Sequence, residues 1–141
     1  MLAEYNAVKA QIEADPLLAG KVTDSAKIDS QNGLVREQYV ILFGGPPITL
    51  GDERYTAPQL QDSDAVYSYT VRAVSVTAAG AMLVASKVAA QLIGAVVTVP
   101  GRKCERIRLD EADSEVTPDM TVKPPLYALD QDFILVSRRG A

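Results

Sequence analysis

The side chains that could do chemistry in this sequence are carboxylates, grouped most densely between positions 110 and 125. Asp110, Glu111, Asp113 and Glu115 lie close together there. General acid–base catalysis needs two carboxyl groups in a fixed geometry, which close spacing in a loop does not provide. Calcium binding is an alternative, although the spacing is not that of an EF-hand loop. The pattern therefore favours a solvated acidic loop over a cation site, and both over catalysis.

The sequence contains no histidine and a single cysteine, Cys104. A lone cysteine excludes a disulfide within the chain, and the lack of histidine excludes the usual zinc sites and the Ser–His and Cys–His catalytic pairs. We expect Cys104 to pack as a small apolar residue in a strand. Gly44-Gly45 is followed by two prolines and not by Lys-Ser/Thr, so it predicts a turn. We predict no catalytic, cofactor-binding or metal-binding residue, and hence no enzyme.

The densest basic cluster consists of Arg102, Lys103, Arg106 and Arg108. The default interpretation is a solvated surface. The alternative is an electrostatic contact with an acidic neighbour, for which the acidic loop of an identical subunit would serve.

Length and composition indicate one soluble domain covering residues 1–141, long enough to bury a core. The net charge of −4 argues against a general nucleic-acid or anionic-membrane binder, because both need a cationic surface. No apolar run approaches the roughly 18 residues of a membrane span. Glu4 stands where a signal peptide would carry positive charge, so we expect synthesis in the cytoplasm.

The rest of the chain is organised around Ala65–Ile93, a strand that leads into an alanine-rich helix. The alternation predicts Tyr67, Tyr69, Val71 and Ala73 on one face of the strand. Thr77 is a plausible N-cap and Gly94 a stop. The helical period predicts the following buried face: Ala78, Ala81, Met82, Ala85, Val88, Ala89, Leu92 and Ile93, with Gly80, Lys87 and Gln91 opposite.

The flanking segments complete an α+β domain. An amphipathic helix precedes Asp15, with Glu4 on its polar side, and residues 38–43 form a strand buried on both faces. Ala95–Val99 and Arg102–Asp110 read as a hairpin, Leu126–Val136 as a final strand, and the residues from Arg138 onward as a frayed tail. We predict a mainly antiparallel or mixed sheet with the N-terminal and alanine-rich helices on one face.

Residues 44–64 form a long segment without clear periodicity, and its apolar side chains are too numerous for a solvated linker. They either fold back on the domain or become ordered against a partner. Together with the charged clusters they define a predicted protein interface. Its residues are Ile48, Leu50, Arg54, Tyr55, Leu60, Arg102, Arg106, Arg108, Asp110, Glu111, Asp113 and Glu115.

The order of these features resembles the tail terminator, or tail completion, proteins of long-tailed bacteriophages, particularly the small minor tail proteins of phages of actinobacteria. The resemblance covers nearly the whole chain. It depends on Ala14–Val22, on Gly51–Arg54 with Thr56-Ala57-Pro58, on the central strand and the helix that ends Gln91-Leu92-Ile93-Gly94, on Val99–Arg102, and on Asp119–Tyr127.

The resemblance implies an α/β subunit that forms a sixfold ring at the head-proximal end of the tail tube. There it would stop tube growth and meet the head–tail connector or stopper, so its partners would be itself, the tail tube protein and the connector. It implies a location in the neck of the virion and no catalytic residues. Alternatives are another neck protein such as a head-completion stopper, a small-ligand-binding α+β domain, or an enzyme subunit whose partner supplies the chemistry.

Overall fold

The computed structural model describes residues 2–25, 37–45, 48–49, 64–120 and 125–139, with only the backbone at 48, 49 and 139. In chain order the described elements are α1 (Leu2–Glu13), β1 (Val22–Thr23), β2 (Tyr39–Phe43), β3 (Ile48–Thr49), β4 (Ala65–Ser75), α2 (Ala78–Leu92), β5 (Arg102–Cys104), β6 (Arg108–Ala112), β7 (Thr117–Asp119) and β8 (Leu126–Arg139). Within these ranges no helix is both long and apolar enough to cross a bilayer.

The centre of the sheet is an antiparallel pair, β4 and β8, in register from Ala65 opposite Ser137 to Ser75 opposite Tyr127. β2 and β3 pair with β4 on its other side, and β1 adds to β2 in parallel. β5, β6 and β7 pair one after another along the remaining side of β8. The sheet is therefore mixed and mainly antiparallel, and the predicted α+β class is confirmed.

The alternation predicted for β4 is confirmed. Tyr67, Tyr69, Val71 and Ala73 are buried, and Ser68 on the opposite face is exposed. The buried residues form the main core with Val84, Ala85 and Val88 of α2 and with Val8 and Ile12 of α1. This face of the sheet carries both described helices, as expected.

β2 is buried on both faces, as predicted from its apolar run. Val40 and Leu42 join the main core, whereas Tyr39 and Ile41 form a second cluster with Val74 and Leu126 on the other side of the sheet. The second cluster explains why the strand shows no alternation.

Four residues of the buried face predicted for α2 are buried as expected, namely Ala81, Ala85, Val88 and Leu92, but the centre of the face is displaced by about one position. Gly80 is buried, whereas Met82 and Ile93 are 58% and 50% exposed. The Thr77 hydroxyl accepts a hydrogen bond from Gly80 N at 3.0 Å, and a Cβ on Gly80 would collide with Ser75 Oγ. Glycine is therefore needed at the close contact between the start of α2 and β4, and this requirement sets the rotation of the helix.

The predicted hairpin is replaced by a broader arrangement. Residues 95–99 are extended without forming a strand, and only their beginning bonds the return segment, where Ile107 N donates to Ala95 O at 2.9 Å. β5 and β6 pair with β8 instead. The long β8 offers more backbone hydrogen-bonding groups than residues 95–99, and β5 and β6 therefore pair with β8.

Two further expectations about the C-terminal part were wrong. The acidic segment is not simply a loop, since β6 contains Asp110 and Glu111, and β7 follows at Thr117–Asp119. Arg138 is not frayed either: it lies in β8 and contacts Asp64 at 3.3 Å and Glu105 at 3.4 Å. Pairing along β8 orders both segments.

Candidate functional site

Carboxylates and arginines are distributed along the edge of the sheet formed by β5, β6 and β7. All five residues of β6 and all three of β7 are exposed. Among the described residues no group of three or more His, Cys, Asp or Glu side chains could hold a metal ion. The exposed charged side chains of this edge are accessible for electrostatic contact with another molecule.

The acidic part of this edge, residues 110–120, is called the acidic edge below. Asp113 is fixed to β8, because its backbone N donates to Asp130 O at 2.9 Å and its Oδ2 accepts from Asp130 N at 3.0 Å. Asp110, Glu111 and Glu115 form no ion pair within the described ranges. Met120 ends the segment with 68% of its surface exposed. The segment combines exposed carboxylates with one exposed apolar side chain at its end.

The basic residues border a groove of about 990 Å³ between the C-terminal end of α2 and β6, called the basic groove below. Its exposed apolar residues are Ile93, Val96 and Leu109, which are 50%, 56% and 41% exposed. Arg106 and Arg108 are exposed at the same groove. Arg106 Nη1 donates to Gly94 O at 2.9 Å, which holds the guanidinium beside the end of the helix. The groove combines apolar surface with positive charge.

Arg102 lies away from this groove, in a buried polar cluster under α1. Its Nε lies 3.9 Å from Glu4 Oε1 and donates to Ser137 Oγ at 2.9 Å, and Ser137 Oγ donates to Glu4 Oε1 at 3.2 Å. Glu4 is 3% exposed, so its predicted position on the polar side of α1 was wrong. Helical periodicity does not reveal this contact, because Glu4 is buried by a partner far away in the sequence.

Burial and hydrogen bonding shift the pKa values in this cluster. Burial alone would raise the pKa of Glu4, but a hydrogen bond from the chain's amino-terminal group, a backbone hydrogen bond, the positive charge of the amino terminus and, last, the hydrogen bond from Ser137 bring the pKa below its ordinary value. Burial, followed by the nearby charge of Glu4, raises the pKa of Tyr67 to about 12. Cys104 is partly buried in β5 beside the core, as predicted, and burial raises the pKa of its thiol. The cluster favours an ionised Glu4 and a neutral Tyr67.

A cavity of about 450 Å³ opens near the start of α1, lined among others by Tyr5, Leu42, Phe43 and Tyr69. The Tyr5 hydroxyl donates to Leu42 O at 2.7 Å. The Tyr69 hydroxyl is buried and has no hydrogen-bond partner within the described part of the chain. Burial raises the pKa of Tyr69, which therefore stays a neutral donor. This unpaired hydroxyl is a feature that the sequence pattern did not reveal.

The face of the sheet opposite the helices carries a paired polar group. Arg72 Nε and Nη2 donate to the two carboxylate oxygens of Asp130 at 2.8 and 3.0 Å, and Thr70 Oγ1 donates to Asp132 Oδ1 at 2.8 Å. Asp130 and Asp132 are therefore both paired across the strands.

The predicted interface residues between 44 and 64 are only partly described. Ile48 lies in β3, which pairs with Val66 and Ala65 of β4. This part of the segment is therefore a strand, whereas the sequence predicted no regular structure there. Leu50, Arg54, Tyr55 and Leu60 lie outside the described residues.

The fold and these surfaces define an α+β protein whose candidate sites are contact surfaces. No protein-family model and no curated protein matches the chain. Its structure is similar to a chain of the solved "Virion of native gene transfer agent (GTA) particle", with a TM-score of 0.65 and 21% sequence identity. The similarity covers 94% of this chain and 92% of that chain. At this identity the likeness shows a shared fold over nearly the full length of both chains.

Proposed function

We propose that this protein is a structural subunit of a virion. In our proposal it forms a ring at the head-proximal end of a phage tail tube, stops tube polymerisation and joins the tail to the head–tail connector. The observation that carries the proposal is the near full-length fold similarity to a virion chain. The resemblance of the sequence to phage tail terminators supports the finer assignment to the end of the tail.

The surfaces fit such a role on physical grounds. A ring of identical subunits needs two different complementary patches on each subunit, because its contacts are head-to-tail. The basic groove and the acidic edge are two such patches of opposite charge. The proposed partners are further copies of this chain, with six as the expected ring size, the tail tube protein, and the connector or stopper protein.

The segment between β3 and β4 is proposed to contact the tube. Leu50, Tyr55 and Leu60 give it three large apolar side chains. Replacing residues 50–63 by a short Gly/Ser linker should leave β3, β4 and the core intact while abolishing capping. Tubes assembled from the tail tube protein with this variant should then exceed the length reached with the unaltered protein, as measured by negative-stain electron microscopy.

A Gly/Ser replacement of equal length is the matched control, since it keeps the reach of the segment and removes only its side chains. Loss of capping in both variants assigns the contact to the apolar side chains. Normal tube length with the shortened variant contradicts the role given to this segment. If the unaltered protein leaves tube length unchanged and binds the connector alone, it is a head-completion stopper and not a tail terminator.

A second candidate function, binding of a small ligand, is favoured by the cavity at Tyr5 and Tyr69. Its volume of about 450 Å³ is within the usual range of ligand sites, and the unpaired Tyr69 hydroxyl could donate to a ligand. In a thermal-shift screen of small apolar compounds with one acceptor, a ligand of this site should stabilise the unaltered protein more than Tyr69→Phe. If the cavity has no ligand-binding function, as the tail-terminator proposal expects, no compound should stabilise the unaltered protein more than Tyr69→Phe. Tyr69→Phe should then cap tubes normally.

A further inference from the structure

Met120 and the basic groove lie at opposite ends of one side of β8, although the acidic edge itself begins at Asp110, next to Leu109 of the groove. Arg108, at the groove, is opposite Ile134, whereas Thr117, in the acidic edge, is opposite Ala128. Six residues of an antiparallel strand separate these positions by about 20 Å. A subunit therefore cannot bring its own Met120 into its own groove.

We propose that the basic groove receives the acidic edge of a second copy of this chain, with Met120 as the apolar anchor. This inference rests on the proposed function, because it names the contact that would join neighbouring subunits of the ring. Met120 would cover Ile93, Val96 and Leu109, and the neighbouring carboxylates would meet Arg106 and Arg108.

Two independent properties of the surfaces match. The groove has exposed apolar residues bordered by arginines that form no ion pair with another described residue. The acidic edge ends in an exposed methionine that directly follows Asp119, and a flexible thioether adapts well to an irregular apolar surface. Apolar contact at the centre with charged pairs at the rim is the usual composition of a specific interface.

Glu105 also borders the groove, but its carboxylate contacts Arg138 at 3.4 Å. It therefore offers less repulsion to an incoming acidic segment than an unpaired carboxylate would. Among the residues that line the groove, the charges without an ion pair to a described residue are therefore those of Arg106 and Arg108, which favours an acidic occupant.

The contact is tested by disulfide formation between two variants prepared in a Cys104→Ser background. One carries Val96→Cys in the groove and the other Met120→Cys in the acidic edge. A mixture should form a disulfide-linked dimer under mild oxidation, both in solution at high protein concentration and on tail tubes, whereas neither variant alone should do so. A chain carrying both substitutions should form a covalent ladder whose upper limit is the ring size.

Val76→Cys is the matched control, because Val76 is the same residue type at 45% exposure but does not line the groove. Circular dichroism confirms that each variant is folded. Absence of the Val96–Met120 link on tubes and in solution, or an equal yield with Val76→Cys, overturns the inference.

Charge reversal provides a second measurement. Arg108→Glu should lower the yield of the link about tenfold, and adding Glu115→Arg should restore much of it. An unchanged yield in an Arg106→Glu/Arg108→Glu variant contradicts the proposal. The outcomes also distinguish the two proposals. If the Val96–Met120 disulfide forms but the protein does not cap tubes, only the tail-terminator role is refuted. If the protein caps tubes but the disulfide does not form, only this contact is refuted.

Discussion

Glu4, Arg102 and Ser137 come from three different elements and meet beneath the first turns of α1. A charge removed from water is tolerated only where partners compensate it, and each of these residues supplies a partner to the others. Arg102 also donates from Nη2 to Ser137 O at 2.7 Å, which ties β5 to β8. The cluster therefore fixes α1 on the sheet at a defined position.

We predict that Glu4→Gln destabilises the protein in a pH-dependent way. The folded-state pKa of Glu4 lies below its ordinary value of 4.5, so the ionised carboxylate stabilises the fold above about pH 4.5 and this contribution is lost as the pH falls through the folded-state pKa. Urea denaturation at pH 7 should show a loss of about 1–3 kcal/mol in the free energy of unfolding. At pH 3 the difference from the unaltered protein should shrink.

Glu13→Gln is the control, since it makes the same change on the same helix at a half-buried residue for which no such cluster is present. It should change stability little at either pH. An equal loss for Glu4→Gln at pH 7 and pH 3 would show that shape, and not charge, determines the effect.

At the scale of elements, α2 lies close to the sheet because its buried face contains small residues. Ala81 and Ala85 are 0% and 4% exposed and belong to the face that packs on β4 and β8. We predict that Ala85→Leu overpacks this contact and costs about 1–3 kcal/mol. Ala90→Leu, on the exposed face of the same helix, should cost much less. Equal melting temperatures for the two variants would contradict this rotation of α2.

The sequence predicts best those elements whose pattern is local. β4 alternates cleanly, β2 is a continuous apolar run, and Thr77 and Gly94 mark the ends of α2 as expected. The rotation of α2 was harder to predict from the sequence. Hydropathy favours burial of Met82 over Gly80, whereas the space left by Ser75 requires a glycine. Packing overrode the hydrophobic period there.

β6 and β7 were missed for a different reason. Asp110 and Glu111 have low strand propensity, and β7 contains a proline, so their strand conformation comes from pairing with β8. The same limit applies to the candidate site. The two charged clusters are visible in the sequence, but the exposure of Ile93, Val96 and Met120 beside them depends on which apolar residues the core leaves uncovered.

At the scale of the whole molecule, β8 is the strand on which the architecture depends. It pairs with β4 on one side and with β5, β6 and β7 on the other, so both contact surfaces of the proposed ring are held by one strand. A net charge of −4 is compatible with the local positive charge of the groove, because the arginines there are concentrated at one end of the edge.

The late position of β8 in the chain also sets the order of events during synthesis. Until residues 126–139 have left the ribosome, one side of β4 has no strand to pair with, and β5, β6 and β7 have no template. The nascent chain thus carries a long strand with one unpaired edge, and such an edge is a site for aggregation. Because β6 and β7 pair with β8, a partly synthesised subunit lacks the strand that holds the acidic edge and one side of the groove. In the proposed ring, a chain without β8 would be unable to complete its contacts with neighbouring subunits.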